Sequence, residues 1–136
     1  MIAAIEHICL IDDDPIYVFG LRKMIELKGL CQRITVFSNG REALAYFLNA
    51  PPDPVELPDI ILLDINMPIL DGWQFLTRFA PIRTQLGKDI LLYLVSSSIF
   101  EEDLRRARAH PLVTDYLTKP ISFVRLQELL RPTQTG

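Results

Sequence analysis

The stretch Ile60-Ile61-Leu62-Leu63-Asp64-Ile65-Asn66-Met67-Pro68 constrains this chain more than any other. Ile60 to Leu63 are apolar at every position, so the segment suits a strand covered on both faces, as in a parallel sheet. The run passes straight into an acid and then a turn. One carboxylate, Asp64, is thereby delivered at the end of a buried strand. In sheets of this kind ligands sit in the crevice beyond the carboxyl ends of the strands. What matters next is which other groups the chain brings to that edge.

Ile8-Cys9-Leu10-Ile11 reads as a first buried strand ending at Asp12-Asp13-Asp14-Pro15. Asp14 followed by Pro15 is a helix start, a side-chain cap and then proline at the first helical position. Val18, Leu21 and Ile25 share one face of that helix, and Gly29 stops it. Ile34 to Phe37 is a second strand, and Asn39 caps a helix expected to turn Leu44, Phe47 and Leu48 inward. Asn49 to Pro58 holds four prolines and reads as a stiff surface loop. Asp59 to Asp64 is the third strand. Asp71-Gly72 opens a helix with Leu76 and Phe79 inward, which Pro81 ends or kinks. Ile90 to Val95 is a fourth strand, running into Ser96-Ser97-Ser98. Ser98 and Glu101 have the spacing of a capping box for a fourth helix, whose charged Glu101, Glu102, Arg105, Arg106 and Arg108 form a mostly solvated face. Val113 to Thr118 is a fifth strand, followed by Lys119-Pro120 and a helix capped by Ser122, with Leu126 and Leu130 inward. Five strands alternating with five helices predict a doubly wound α/β domain spanning residues 1–136: a parallel sheet with right-handed crossovers and helices on both faces. No output-type domain is expected in this chain.

At 136 residues the chain can bury a full core without disulfides. A net charge of −3 gives no reason to expect nucleic acid or an anionic membrane as a partner. Cys9 and Cys31 match no metal spacing and read as free thiols in a reducing compartment. No secretory signal is visible, and no apolar run reaches the roughly 18 residues of a membrane span. A cytoplasmic protein is the expectation.

The strand ends carry the chemistry. Strand one delivers Asp12 and Asp13, strand three Asp64, strand four Ser96 and Ser97, strand five Lys119. Three neighbouring carboxylates repel one another unless a cation sits among them. Oxygen ligands suit a hard divalent ion, and Mg²⁺ takes one or two carboxylates, several waters and a phosphate. Lys119 supplies a compact positive charge that can pair with Asp64 at rest and with a phosphate oxygen later. A serine hydroxyl can donate one more bond. Together these make a phosphoryl-transfer site, where positioning and charge neutralisation do nearly all the catalysis. Singly each signal is weak: Asp14 is better read as a cap, the serines as loop residues, and His7 as a satisfied side chain several residues before the edge. Their joint placement after four different strands is what points to a site.

The same residues resemble the receiver domain of two-component response regulators: Asp12-Asp13, the run Asp64 to Gly72, Val95-Ser96-Ser97, and Tyr116 to Pro120. The likeness covers roughly Ile5 to Arg131 and implies a flavodoxin-like sheet order 2-1-3-4-5 in a three-layer α/β/α domain of the stand-alone type. It implies that Asp64 is the phosphate acceptor, and that Asp13, Asp64 and the backbone carbonyl of Asn66 bind Mg²⁺, with Asp12 acting through metal-bound water. Lys119 would contact the phosphoryl group, with a cis bond to Pro120. Ser96 would be the switch hydroxyl, Ser97 the neighbour whose N–H faces phosphate, and Tyr116 the aromatic that turns inward on activation. Asn66 and Ser98 would occupy the rim positions that tune phosphate lifetime. The implied partners are a sensor histidine kinase or histidine phosphotransfer protein and a downstream protein target met by helix four, strand five and helix five, with no direct DNA or membrane binding. The protein would not be an enzyme beyond the turnover of its own aspartyl phosphate. Two rivals stand beside this. A haloacid-dehalogenase-type phosphatase wants an Asp-x-Asp-x-Thr/Val pattern that Asp12 to Ile16 fits poorly. A phosphate-independent receiver-like module would not need the intact acid set.

Overall fold

A computed structural model of the chain describes residues 2–3, 5–49, 56–130 and 133–134. The strands are β1 (His7–Ile11), β2 (Arg33–Phe37), β3 (Ile60–Asp64), β4 (Leu91–Ser96) and β5 (Asp115–Thr118). The helices are α1 (Pro15–Leu27), α2 (Gly40–Leu48), α3 (Gly72–Arg83), α4 (Glu101–Ala109) and α5 (Phe123–Leu130). All five strands are parallel, in the order β2-β1-β3-β4-β5. Outside that sheet, Ile2–Ala3 pairs antiparallel with Thr133–Gln134.

Alternation along the strands divides the core in two. Ile8, Leu10, Ile60, Leu62, Tyr93 and Val95 face α1 and α5, packing on Val18, Leu21, Ile25 and Leu126. Cys9, Ile11, Ile61, Leu63, Leu92 and Leu94 face the other way, onto Phe47, Trp73, Phe75 and Phe79. Because side chains alternate with a period of two, a strand apolar at every position needs helices on both sides. That requirement produces the three layers.

Several boundaries and caps differ from the sequence reading. Leu48 is 68% exposed rather than inward, because Ala43, Leu44 and Phe47 already occupy the buried face of the short α2. Most of the expected surface loop before β3, residues 50–55, lies outside the described residues, and its end is not a surface: Leu57 is buried. Pro81 does not end α3, which continues to Arg83. The Ser98–Glu101 capping box does not form. Phe100 stands at the N-cap without a side-chain bond, while the Ser98 hydroxyl donates to Asp103 at 2.9 Å and accepts from Phe100 N–H. Val113 and Thr114 belong to the turn before β5, where Val113 N–H bonds His110. Caps at Asp14, Asn39 and Ser122 form as read.

Gly72 fixes the approach of α3 to the sheet edge. Its N–H bonds the Ile65 carbonyl at 2.8 Å, and a Cβ there would lie 2.7 Å from the Asp64 carbonyl oxygen. Only a residue without a side chain allows the helix to start against the turn that carries Asp64.

Candidate functional site

Strand register brings the predicted residues together. Ile11 pairs with Leu63, so the next residues, Asp12 and Asp64, leave adjacent strands side by side. Ser96 pairs with Thr118, which places Lys119 one residue beyond the same edge. Carboxylate oxygens of Asp12, Asp13 and Asp64 lie within 4.8 Å of one another, with Asp12 and Asp64 buried and Asp13 exposed. Lys119 Nζ is 2.8 Å from Asp12 and 3.5 Å from Asp64. The Lys119–Pro120 peptide is cis.

One ammonium therefore faces three carboxylates. Burial, and then the charge of Asp12, push the Asp64 carboxyl up to about 6, against the opposing pull of Lys119 and of the Asn66 N–H that it accepts. Burial disfavours the Lys119 ammonium, but Asp12 and Asp64 outweigh it and hold the amine above its ordinary range. The cluster remains short of positive charge, and its donors are hard oxygens: the residues fit a divalent cation such as Mg²⁺.

The hydroxyl side of the site is also tied down. Ser96 is fully buried; its Oγ accepts from Ser98 N–H at 3.0 Å, and its carbonyl accepts from Lys119 N–H at 2.9 Å. The Tyr116 hydroxyl donates to the Ser98 carbonyl at 2.8 Å. Ser97, Asn66 and, at the loop tip, Ile99 and Phe100 are exposed.

Residues 8–131 match the family described as the response regulator receiver domain. The chain belongs to that family. It is 30% identical over 116 residues to a probable methanogenesis regulatory protein, FilR2, of Methanothrix harundinacea, covering 85% of this chain and 73% of that protein. It is 32% identical over 124 residues to an uncharacterised 14.6 kDa protein of Leptolyngbya boryana, covering 91% and 86% respectively. Among solved structures, a two component response regulator from Cytophaga hutchinsonii superposes with a TM-score of 0.79 at 28% identity, covering 93% of this chain and 94% of that one. This receiver domain thus has the sheet order and layers that the resemblance implied.

The residues set aside in the sequence stay outside the site. Asp14 spends its carboxylate on Ile16 and Tyr17 N–H. His7 lies at the opposite end of β1, buried, with Nε2 2.6 Å from Thr35 Oγ1. Cys9 and Cys31 are free thiols. One neighbour of the cluster had no signal in the sequence: Lys119 Nζ lies over the Tyr17 ring, 4.4 Å from its centroid. Only the packing of α1 against the end of β5 brings them together.

Proposed function

We propose that this receiver domain is the phosphoacceptor of a two-component or phosphorelay system, taking a phosphoryl group onto Asp64 from the phosphohistidine of a sensor histidine kinase or a histidine phosphotransfer protein. The observation that carries the reading is the convergence of Asp12, Asp13, Asp64 and Lys119 at one sheet edge, with negative charge in excess. Asp13, Asp64 and the Asn66 carbonyl would hold Mg²⁺, with Asp12 reaching it through water; once bound, the ion neutralises the carboxylates and the phosphoryl oxygens.

An Asp64 carboxylate oxygen attacks phosphorus, the new O–P bond forms, and the N–P bond to the donor imidazole breaks with its electron pair returning to nitrogen. Lys119, already within reach of Asp64, exchanges part of that contact for a phosphoryl oxygen. The Ser97 N–H and the Ser96 hydroxyl supply further donors. A Ser96 hydroxyl turned toward phosphate gives up the Ser98 N–H that it now accepts. That loosens the segment whose carbonyl holds the Tyr116 hydroxyl, freeing the ring to turn inward. The change reaches the exposed Ile99 and Phe100 and the face of α4, β5 and α5, where a downstream protein would read it. Hydrolysis of its own aspartyl phosphate resets the protein.

The phosphatase alternative is disfavoured because Asp14, the acid it would use, is committed to capping α1. Incubation with Mg²⁺ and a small phosphodonor such as acetyl phosphate, followed by mapping of the modified residue, tests the proposal. Label on Asp64 that vanishes in Asp64→Asn is expected. Label that survives the substitution sinks the assignment, and failure to bind Mg²⁺ would favour the phosphate-independent module.

A further inference from the structure

Tyr17 sits in the first turn of α1, where its N–H bonds the Asp14 cap at 3.2 Å and its ring lies beneath the Lys119 ammonium. Lys119 Nζ is therefore held on three sides, by Asp12, by Asp64 and by an aromatic face. The quadrupole of the ring attracts the cation and keeps it from swinging toward solvent.

The hydroxyl of the same residue is the unexplained part. It is shielded from solvent, and no hydrogen-bond partner reaches it among the described residues. Burial, then the charges of Asp12 and Asp64, hold it in the protonated form, so it is a donor in the field of two carboxylates that it does not touch. A buried donor without an acceptor is a standing cost to the fold, tolerated where a ligand completes the bond. An anion arriving on Asp64 would bring three acceptor oxygens into that neighbourhood.

We propose that Tyr17 is a phosphoryl-contacting residue of this site, its ring seating the Lys119 ammonium and its hydroxyl donating to an oxygen of the group carried by Asp64. The inference rests on the aspartyl-phosphate reading given above and adds to it a residue of α1 that the sequence did not single out. Ring and hydroxyl can be separated: Tyr17→Phe keeps the aromatic face and removes the donor, whereas Tyr17→Leu removes both.

The test uses the whole chain with Mg²⁺ and beryllofluoride, a tetrahedral anion that stands in for the phosphoryl group. Wild type should bind the anion. Tyr17→Phe should bind Mg²⁺ alone as wild type does, lose about fivefold to twentyfold in beryllofluoride affinity, and melt without Mg²⁺ no lower than wild type, since the deleted hydroxyl has no partner there. Tyr17→Leu should lose at least as much and also shift the Lys119 Nζ resonance, which Tyr17→Phe leaves in place. A residue serving packing alone predicts the reverse, a lowered melting temperature with anion affinity unchanged, and that result overturns the proposal. If wild type itself fails to bind beryllofluoride with Mg²⁺, the underlying aspartyl-phosphate reading falls, and this proposal with it.

Discussion

The two ends of the sheet each hold a lysine against an aspartate, yet the pairs behave differently. At the N-terminal ends of the strands, Lys88 Nζ lies 2.9 Å from Asp59, and the other Asp59 oxygen accepts from Glu6 and His7 N–H at 3.0 Å each. Burial alone would raise that carboxyl, but the Lys88 bond and the two backbone donors hold it below its ordinary range. At the C-terminal ends Lys119 is as close to Asp12 as Lys88 is to Asp59, but two more carboxylates crowd the same space. There the Asp64 carboxyl is pushed up to about 6. A matched pair with its donors filled is a structural joint. A cluster with surplus charge stores repulsion that a cation and a transferred group can relieve.

The sharpest way to break this contrast is to remove each lysine. Lys119→Ala should uncouple phosphorylation from the change at Tyr116, read by the fluorescence or NMR signals of the loop after β4. Lys88→Ala should leave that response intact and cost about 1–3 kcal/mol of stability in urea unfolding, since it strands a partly buried acid. An unimpaired response in Lys119→Ala would erase the distinction.

Carboxylate-to-amide substitutions should then have opposite signs at the two ends. Without Mg²⁺ at pH 7.5, Asp64→Asn is expected to stabilise the fold by about 1–3 kcal/mol, because it removes a charge whose pKa is raised. Asp59→Asn is expected to destabilise it by a similar amount, about 1–3 kcal/mol. Two losses of stability would mean that the site is not electrostatically strained.

Metal should distinguish the ends as well. At tenfold excess over its dissociation constant, Mg²⁺ should stabilise wild type by about 1.4 kcal/mol, and chelation should reverse the gain. Asp13→Asn should lose the effect and Asp59→Asn should keep it. Thermal melts with and without chelator give the answer.

The smallest expected effect is on pH dependence in the absence of metal. Asp64 has a raised folded pKa, so the folded state binds the extra proton between about 4 and 6 and stability falls as pH rises through that window. His7, lowered first by burial and then by Arg33, works the other way: the unfolded state takes the proton first, so stability falls as pH drops below about 6.5. Asp64→Asn should therefore make the slope of unfolding free energy against pH more positive between about 4 and 6, by less than ~1.4 kcal/mol per unit. An unchanged slope would argue against the raised Asp64 carboxyl.

The apolar runs ending at Ile11, Leu63 and Val95, and the acids, serines and lysine that follow strand ends, were all legible in order, because strand burial and helix caps are local properties of neighbouring residues. So were the members of the cluster, since Asp12 and Asp13 follow one strand, Asp64 ends a second and Lys119 follows a third. The register that sets Asp12 beside Asp64 was decided only by sheet pairing. Leu48 turned outward because its neighbours on α2 filled the face first, and the Ser98 hydroxyl was drawn to Asp103 rather than to a capping box. Tyr17 could not be found beforehand at all. Its ring meets Lys119 across 102 positions of chain, and contacts that distant in sequence arise from how layers pack rather than from any local pattern.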